Sequence, residues 1–311
     1  MCFGTRLYHD AVRKNRTISR IATALIPAGG YGTRMLPFTK LIPKELLPLG
    51  TTPIIQHILE ALSQAGIKDT IVVTKKNNPI LKNYLTKNTT SLIEFLRQNK
   101  KTFEIKMLKK IPRLMNLRFI IQKGPYGSAT PLISSKKYLK NTPFIYKTSD
   151  DLIIGGKGEF NELIKAYNKF GCSCLTVIKI TDTSDLKKYG FIKGKELNSG
   201  YIEVENIVEK PGIGSGYELA TVSSCLLTSD FMQYLEPALE MKGKGAEFYL
   251  NDVLKLALKN GIKIIGVESK RSVYLDLGNK TELLKSNVLY GLHVNENRAE
   301  FKTWLRHLIN K

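Results

Sequence analysis

The sequence predicts an α/β fold with three layers, helices on both sides of a mainly parallel mixed central sheet, and a smaller subregion on one side. Three observations predict it. An apolar run, Ile21-Ala-Thr-Ala-Leu-Ile26, ends in Pro27-Ala28 and a glycine cluster, as a buried strand feeding a loop does. Segments with strand and helix periodicity then alternate along the chain. Finally, 311 residues with 42% hydrophobic and 24% charged side chains suffice for a full core.

The elements follow in order. Residues 53–65 predict a helix, because Ile54, Ile55, Ile58, Leu59 and Leu62 share one face and Gly66 stops it. Residues 70–74 are a short β-branched strand. Strands are expected at 117–122, 143–148 and 174–180, with helices at 128–140 and 158–170 between and after them. The second half changes character. Extended segments at 201–209 and 217–227 flank a Pro-Gly-rich connection, followed by helices at 230–239 and 246–260 and a strand at 262–268. Residues 280–290 and 296–309 are helical by period. The domain reading is a basic extension at 1–18, one catalytic domain at 19–290 and a helical tail at 291–311. No linker composition or internal repeat divides it.

Composition excludes several classes. Gly 24 and Pro 12 are ordinary counts, so collagen and low complexity are out. No apolar run approaches the ~20 residues of a spanning helix, and no membrane partner is expected. Residues 1–20 lack the apolar centre of a secretory signal. Cys2, Cys172, Cys174 and Cys225 form no disulfide framework, and the single residue between Cys172 and Cys174 is short for zinc. They read as core thiols of a reducing, cytoplasmic protein. The net charge of +21 fits either an anionic partner or a solvated Lys-rich surface. The stretch 97–118 holds eight basic residues and one acid with Phe103, Ile105, Met107, Leu108 and Ile111 interleaved. It is expected as a surface helix or loop with one buried face. Without a helix-turn-helix, zinc-finger or ribonucleoprotein motif, nucleic acid is not the expected partner.

The strongest chemical signal is Ala28-Gly29-Gly30-Tyr31-Gly32-Thr33-Arg34. Its glycines let backbone N–H groups approach a ligand closely, and an Arg at the end suits a polyphosphate. It is neither a Walker A loop, lacking Gly-Lys-Ser/Thr, nor a dinucleotide fingerprint, since Met35 stands where the third glycine belongs. Ten residues on stands Ile42-Pro43-Lys44-Glu45-Leu46-Leu47-Pro48. Ser149-Asp150-Asp151-Leu152 closes an apolar strand, the ligand edge of parallel sheets.

The run from Ala28 to Pro48 resembles the opening signature of nucleotidyltransferases that join a sugar 1-phosphate to a nucleoside triphosphate. Thr39-Lys40-Leu41-Ile42-Pro43-Lys44-Glu45 is most similar to the bacterial and archaeal UTP–glucose-1-phosphate uridylyltransferases. Later segments resemble the same family: Gln122-x-x-Pro125-Tyr126-Gly127, Asp150-Asp151-Leu152, Tyr189-Gly190, Val208-Glu209-Lys210-Pro211, Glu247-x-x-Leu250-x-Asp252 and Tyr274-x-Asp276-x-Gly278. The resemblance covers about residues 21–290. It implies the nucleotide-diphospho-sugar transferase-like, Rossmann-like version of the fold. It also implies transfer of a uridylyl group from UTP to glucose 1-phosphate, giving UDP-glucose and pyrophosphate, with Mg²⁺ as cofactor and a homo-oligomeric assembly.

The resemblance gives each residue an expected role. Ala28, Gly29, Gly30, Gly32, Thr33, Glu45, Gln122 and Gly127 bind nucleotide. Arg34 and Lys44 neutralise the β- and γ-phosphates, and Lys210 the sugar phosphate and α-phosphate. Asp150 holds the metal, Asp151 orients it and Asp276 is the second ligand. Gly190, Glu209 and Ser223 face the sugar, with the Glu209 carboxylate able to accept from two hydroxyls. The chain departs from the family at Tyr126-Gly127-Ser128-Ala129 (family Leu-Gly-His-Ala), at Ala220-Thr-Val-Ser223-Ser224 (family Ala-x-x-Gly-Arg) and at Asn251 (family Thr). These bear on nucleotide and sugar selectivity, so dTTP or another sugar phosphate stays open. A non-catalytic regulatory homologue and a basic nucleic-acid-binding protein are the rivals from other classes.

Overall fold

A computed structural model describes residues 21–310 apart from 77, 88, 140, 141, 181, 199, 244 and 295. The basic extension at 1–18 lies outside the described residues. The strands are β1 (Thr23–Ala28), the short pair β2 (Pro48–Leu49) and β3 (Thr52–Pro53), β4 (Asp69–Thr74), β5 (Asn116–Ile121), β6 (Phe144–Lys147), β7 (Asp151–Gly155), β8 (Ser173–Lys179), β9 (Gly190–Leu197), β10 (Tyr201–Glu209), β11 (Leu219–Leu227), β12 (Ile264–Glu268) and β13 (Ser272–Asp276).

Nine of them form one sheet in the order β5-β4-β1-β6-β11-β8-β12-β10-β9. The half carrying the glycine loop, β5-β4-β1-β6, is parallel. From β6 onward the pairings are antiparallel except β8 with β12, and β9 turns back to pair with β11 as well. The parallel half therefore presents the carboxyl ends of β1 and β6 side by side, where Gly29 and Asp150 begin their loops.

Three layers follow from how β1 alternates. Ala24 and Ile26 pack into one core with the helices Ile54–Gln64 and Glu159–Phe170, whereas Leu25 packs into the other with Tyr146, Phe248 and Leu254. A strand covered on both faces reads as an unbroken apolar run, which is why 21–26 was legible. Helix Ile54–Gln64 buries the five apolar residues of its predicted face. Each fully buried Ile or Leu contributes roughly 1.5–3 kcal/mol relative to exposure.

Some elements differ from expectation. The helix expected at 128–140 is an α segment, Thr130–Ser135, continued as a 3₁₀ turn, Lys136–Tyr138. The helix expected from 246 begins at Leu250, because the preceding backbone is bonded to the 126–129 loop: Phe248 N–H donates to Tyr126 O at 2.8 Å and Ala129 N–H to Phe248 O at 3.0 Å. Residues 97–118 hold parts of two helices, Thr90–Gln98 and Thr102–Lys110, before β5. The short antiparallel pair β7–β13 had no expectation, nor had strand β9, where Gly194 and charged residues interrupt the alternation. Near the C-terminus, helices Lys280–His293 and Arg298–Ile309 pack so closely that a Cβ on Gly291 would lie 2.6 Å from the Phe301 ring. Among the described residues, no helix is long and apolar enough to cross a membrane.

Candidate active site

The glycine loop is shaped by close approach. A Cβ on Gly29 would lie 2.3 Å from Gln122 Oε1, so the end of β1 and the residue after β5 touch only because position 29 has no side chain. This joins two residues expected at the base. Gly32 adopts φ +64°, and its carbonyl accepts from Thr39 Oγ1 at 2.7 Å. The loop then enters the 3₁₀ turn Thr33–Met35, which carries Arg34 toward the strand ends.

Lys44 and Arg34 converge on Asp150. Lys44 Nζ donates to Asp150 Oδ2 at 2.8 Å, and Arg34 Nη2 lies 3.7 Å from the same oxygen. Burial opposes the Lys44 charge, but Asp150 and then Glu45 outweigh it and raise its pKa. Burial likewise opposes the Asp150 charge, and Lys44, with Arg34 and Lys147, holds that carboxyl below its ordinary range. A cationic loop and a strand-end carboxylate thus stay ionised together.

Glu45, beside them, is 1% exposed and accepts from Ser149 Oγ at 3.2 Å. Burial pushes its carboxyl from 4.5 up to about 7, against the pull of Lys44. Between those values the folded chain keeps a proton that the unfolded chain releases, so stability falls as pH rises from about 4.5 to 7. Above pH 7 the buried carboxylate costs on the order of 2–3 kcal/mol. Glu45→Gln is therefore expected to melt higher than wild type at pH 8 and equally at pH 4. Parallel pH-dependent melting curves would contradict the burial argument.

Asp151 is locked. Lys147, fully buried in β6, donates to Asp151 Oδ1 at 2.7 Å, Asp151 O at 2.9 Å and Ser223 Oγ at 2.5 Å. Thr148 Oγ1 also donates to Oδ1, Ser223 N–H to Oδ2 at 2.8 Å, and Tyr274 O–H to Oδ2 at 3.3 Å. Ser223 sits at φ +62° in a register shift of β11 between Thr221 and Cys225, which turns its N–H toward the carboxylate. With its lone pairs occupied, Asp151 braces the turn that leaves Asp150 open to the cleft. The antiparallel register of β7 and β13 puts Asp276 opposite Asp151, and Leu277 N–H donates to Asp150 O at 2.9 Å.

The residues present fit a divalent cation. Among the described residues no group of three or more His, Cys, Asp or Glu is arranged to hold one. Mg²⁺ beside phosphates commonly takes only one or two protein carboxylates. Asp150 and Asp276 offer two from neighbouring strands. Burial raises the Asp276 carboxyl, and Asp150 and Asp151 add to that despite donations from Gly278 N–H at 2.8 Å and Tyr189 O–H at 2.7 Å. A cation between such acids relieves their repulsion.

The sugar-side residues gather on the same cleft, which Arg34, Asp150, Gly190, Glu209, Lys210, Ser223 and Asp276 all line. Lys210 has φ +46°, its N–H bonds Tyr189 O at 3.0 Å, and its Nζ stands 5.3 Å from the Tyr249 ring. Its nearest carboxylate is Glu209 at 3.8 Å, and the side chain is 46% exposed, so the ammonium is available to an anion. Glu209 accepts from Asn251 Nδ2 at 2.6 Å, and burial raises its carboxyl above the ordinary value. A Cβ on Gly190 would lie 2.0 Å from Asn251 Nδ2, so Gly190 makes room for the side chain that aims Glu209.

Two expected contacts have other occupants. Ser223 lines the cleft, but its hydroxyl and amide face Lys147 and Asp151 rather than open space. Gly127 has φ +141°, and a Cβ there would lie 2.1 Å from Phe248 O, so the space above it holds backbone rather than a ring. Sequence reasoning missed Lys147, and it named Asn251 only as a departure from the family, without its partner Glu209. For Lys147 the signal was a lysine inside an apolar strand, Phe144-Ile-Tyr-Lys147.

The nucleotidyl transferase family profile matches residues 23–291. A putative UTP–glucose-1-phosphate uridylyltransferase of Methanocaldococcus jannaschii is 32% identical over 290 residues, 93% of this chain and 99% of that protein. A UTP–glucose-1-phosphate uridylyltransferase of Staphylococcus epidermidis is 30% identical over 294 residues, covering 94% and 99%. The solved structure of a UTP-bound UGPase from Acinetobacter baumannii superposes with a TM-score of 0.80 at 26% identity, over 93% of this chain and all of that one. A UDP-glucose pyrophosphorylase complexed with UDP-glucose gives 0.76 at 28%, over 87% and 98%. With the family profile matched over most of its length and relatives at 30% identity or more along nearly all of it, the chain belongs to the nucleotidyl transferase family.

Proposed function

We propose that the chain transfers a uridylyl group from UTP to glucose 1-phosphate, forming UDP-glucose and pyrophosphate. The carrying observation is that one cleft gathers Arg34, Asp150 and Asp276 with Gly190, Glu209 and Lys210. Relatives and structural neighbours named for this reaction support the substrates. In this reading 19–290 is the catalytic unit. Cytoplasmic residence rests on the reading of the cysteines as reduced core thiols, and homo-oligomeric assembly on the resemblance alone.

The reaction brings two anions together. An oxygen of glucose 1-phosphate forms a bond to the α-phosphorus, and the bond from that phosphorus to the β-phosphate oxygen breaks in line, releasing pyrophosphate. The residues must therefore align and neutralise. Arg34 and Lys44 face the leaving phosphates, Lys210 the incoming one, and Glu209, aimed by Asn251, accepts from sugar hydroxyls. A bound Mg²⁺ held by Asp150 and Asp276 would supply further positive charge at the phosphates. The in-line reaction needs no covalent nucleophile from the cleft. Among the described residues the cleft is lined by no histidine, and burial raises the thiol of Cys225 far above neutral pH.

Purified chain with UTP, glucose 1-phosphate and Mg²⁺ should release pyrophosphate and UDP-glucose in equal amounts; absence of turnover refutes the reading. Lys210→Ala is expected to lower kcat about 100-fold while the KM for UTP moves less than about threefold. Its charge matters most where the two phosphates approach. A variant that loses only UTP affinity would place Lys210 elsewhere.

A further inference from the structure

The helices joining β4 to β5 present exposed apolar side chains set among basic ones. In Thr102–Lys110 the solvent face carries Phe103 and Met107 at 70% and 55% exposure, one turn apart, between the exposed Lys106 and Lys110. Ile105 and Leu108, on the other side, are half-buried, and no residue of this helix is fully buried. In Thr90–Gln98 the buried residues are Ile93 and Leu96, while Leu92 and Phe95 stand 41% and 56% exposed. Thr90–Gln98 thus buries part of its apolar residues, Thr102–Lys110 buries none fully, and both leave an apolar set facing water. These large side chains are close in sequence, on packed neighbouring helices.

The charge around them is one-sided. Residues 90–113 contain Arg97, Lys100, Lys101, Lys106, Lys109, Lys110 and Arg113 against Glu94 and Glu104. Lys101 lies 3.9 Å from Glu104, and Lys110 lies 2.9 Å from Glu60. Among the described residues, Arg97, Lys100, Lys106 and Lys109 have no carboxylate within ion-pair distance. None of the residues lining the functional cleft comes from this connection, so the surface lies apart from the cleft.

We propose that this face docks on an anionic lipid surface. Exposed aromatic and thioether side chains interleaved with uncompensated lysines suit the headgroup boundary, where apolar side chains enter the acyl layer and lysines extend to lipid phosphates. The sequence alone led to no membrane partner, because it shows length and hydropathy but not which apolar side chains stay in solvent. A second copy of the chain is the poorer occupant, since like-charged faces would meet. A nucleic acid would use the lysines but leave Met107 and Leu92 without a role. Docking here leaves the cleft open, so a soluble substrate can exchange while the protein is attached.

The test uses the full chain and vesicles of phosphatidylcholine alone or with 30% phosphatidylserine, read by co-sedimentation at ~0.1 M salt. Binding is expected to the anionic vesicles only. Phe103→Ser with Met107→Ser, and separately Lys100→Glu with Lys106→Glu, are each expected to weaken it about tenfold or more while kcat and melting temperature hold. Lys165→Glu with Lys255→Glu, in helices elsewhere on the molecule, are the charge controls and should weaken it less than threefold. Failure to bind anionic vesicles overturns the proposal. So does binding that the control pair weakens as much as the Lys100 and Lys106 pair, or that Phe103 and Met107 do not affect, because either shows a diffuse effect of net charge. Self-association or nucleic-acid binding through these residues in place of vesicle binding also overturns it. Since no residue of the cleft is altered, loss of docking with full turnover separates this proposal from the uridylyltransferase reading.

Discussion

Asp150→Asn is expected to lower kcat about 1,000-fold while the protein stays folded. The carboxylate closes an apolar strand, faces the cleft, and is the oxygen on which Lys44 and Arg34 converge. Removing its charge leaves both cations without their shared partner and weakens the proposed cation site. The loss of a group aimed at developing charge typically costs 10²–10³ in kcat. Stability should fall by about 1–3 kcal/mol, because the Lys44–Asp150 pair, at side-chain exposures of 19% and 27%, lies between an exposed and a fully buried ion pair. Steady-state pyrophosphate release across a Mg²⁺ titration, with a melting curve on the same preparation, checks both parts. Near-normal turnover would remove Asp150 from the chemistry.

Lys147→Met is expected to lose about 3–5 kcal/mol of stability. Methionine keeps most of the unbranched side chain, one atom shorter, but cannot donate, so Asp151 would stay 7% exposed without its cation. Breaking a buried pair from one side carries that penalty. Ser223 Oγ would lose a donor, and Glu159, which burial already raises and Lys147 helps to hold down, would rise further. The exposed pair Lys179–Glu218, at 64% and 67%, is the control, and Lys179→Met should change stability by less than about 0.5 kcal/mol. Urea unfolding measures both. A Lys147→Met cost below about 1 kcal/mol would mean that Asp151 is held by its hydroxyl and amide donors alone.

The parts of the fold and site legible in sequence share a property: local pattern alone determines them. The strand at 21–26 is apolar on both faces, helix Ile54–Gln64 shows its face in five residues, and the glycine cluster and Asp150-Asp151 stand where a parallel strand must end. What sequence hid depends on distant partners. Lys147 gains meaning from Ser223, 76 residues away, and Asn251 from Glu209, 42 residues away. Strands β7 and β13 are recognisable mainly through their pairing, which sets Asp276 opposite Asp151. Gly127 and Ser223 show the limit of motif reasoning in the other direction. Gly127 stands in its motif and Ser223 at a departure from one, yet Phe248 O and Lys147 Nζ take the space or the bonds expected for ligand.

Pyrophosphate release under saturating Mg²⁺, with each of UTP, dTTP, GTP and ATP against glucose 1-phosphate and other sugar 1-phosphates, tests the central claim most directly. Gln122 lies against Gly29, and its carboxamide can both accept from and donate to the N3–H and carbonyl edge of uracil. Thymine offers the same edge, so only a methyl group and the ribose 2′-OH separate dTTP from UTP. A methyl-sized difference is worth about 1–3 kcal/mol. The account predicts the highest kcat/KM for UTP with glucose 1-phosphate, a measurable second rank for dTTP, and poor use of purines. A preference for GTP or ATP, or no turnover with any pair, would contradict it.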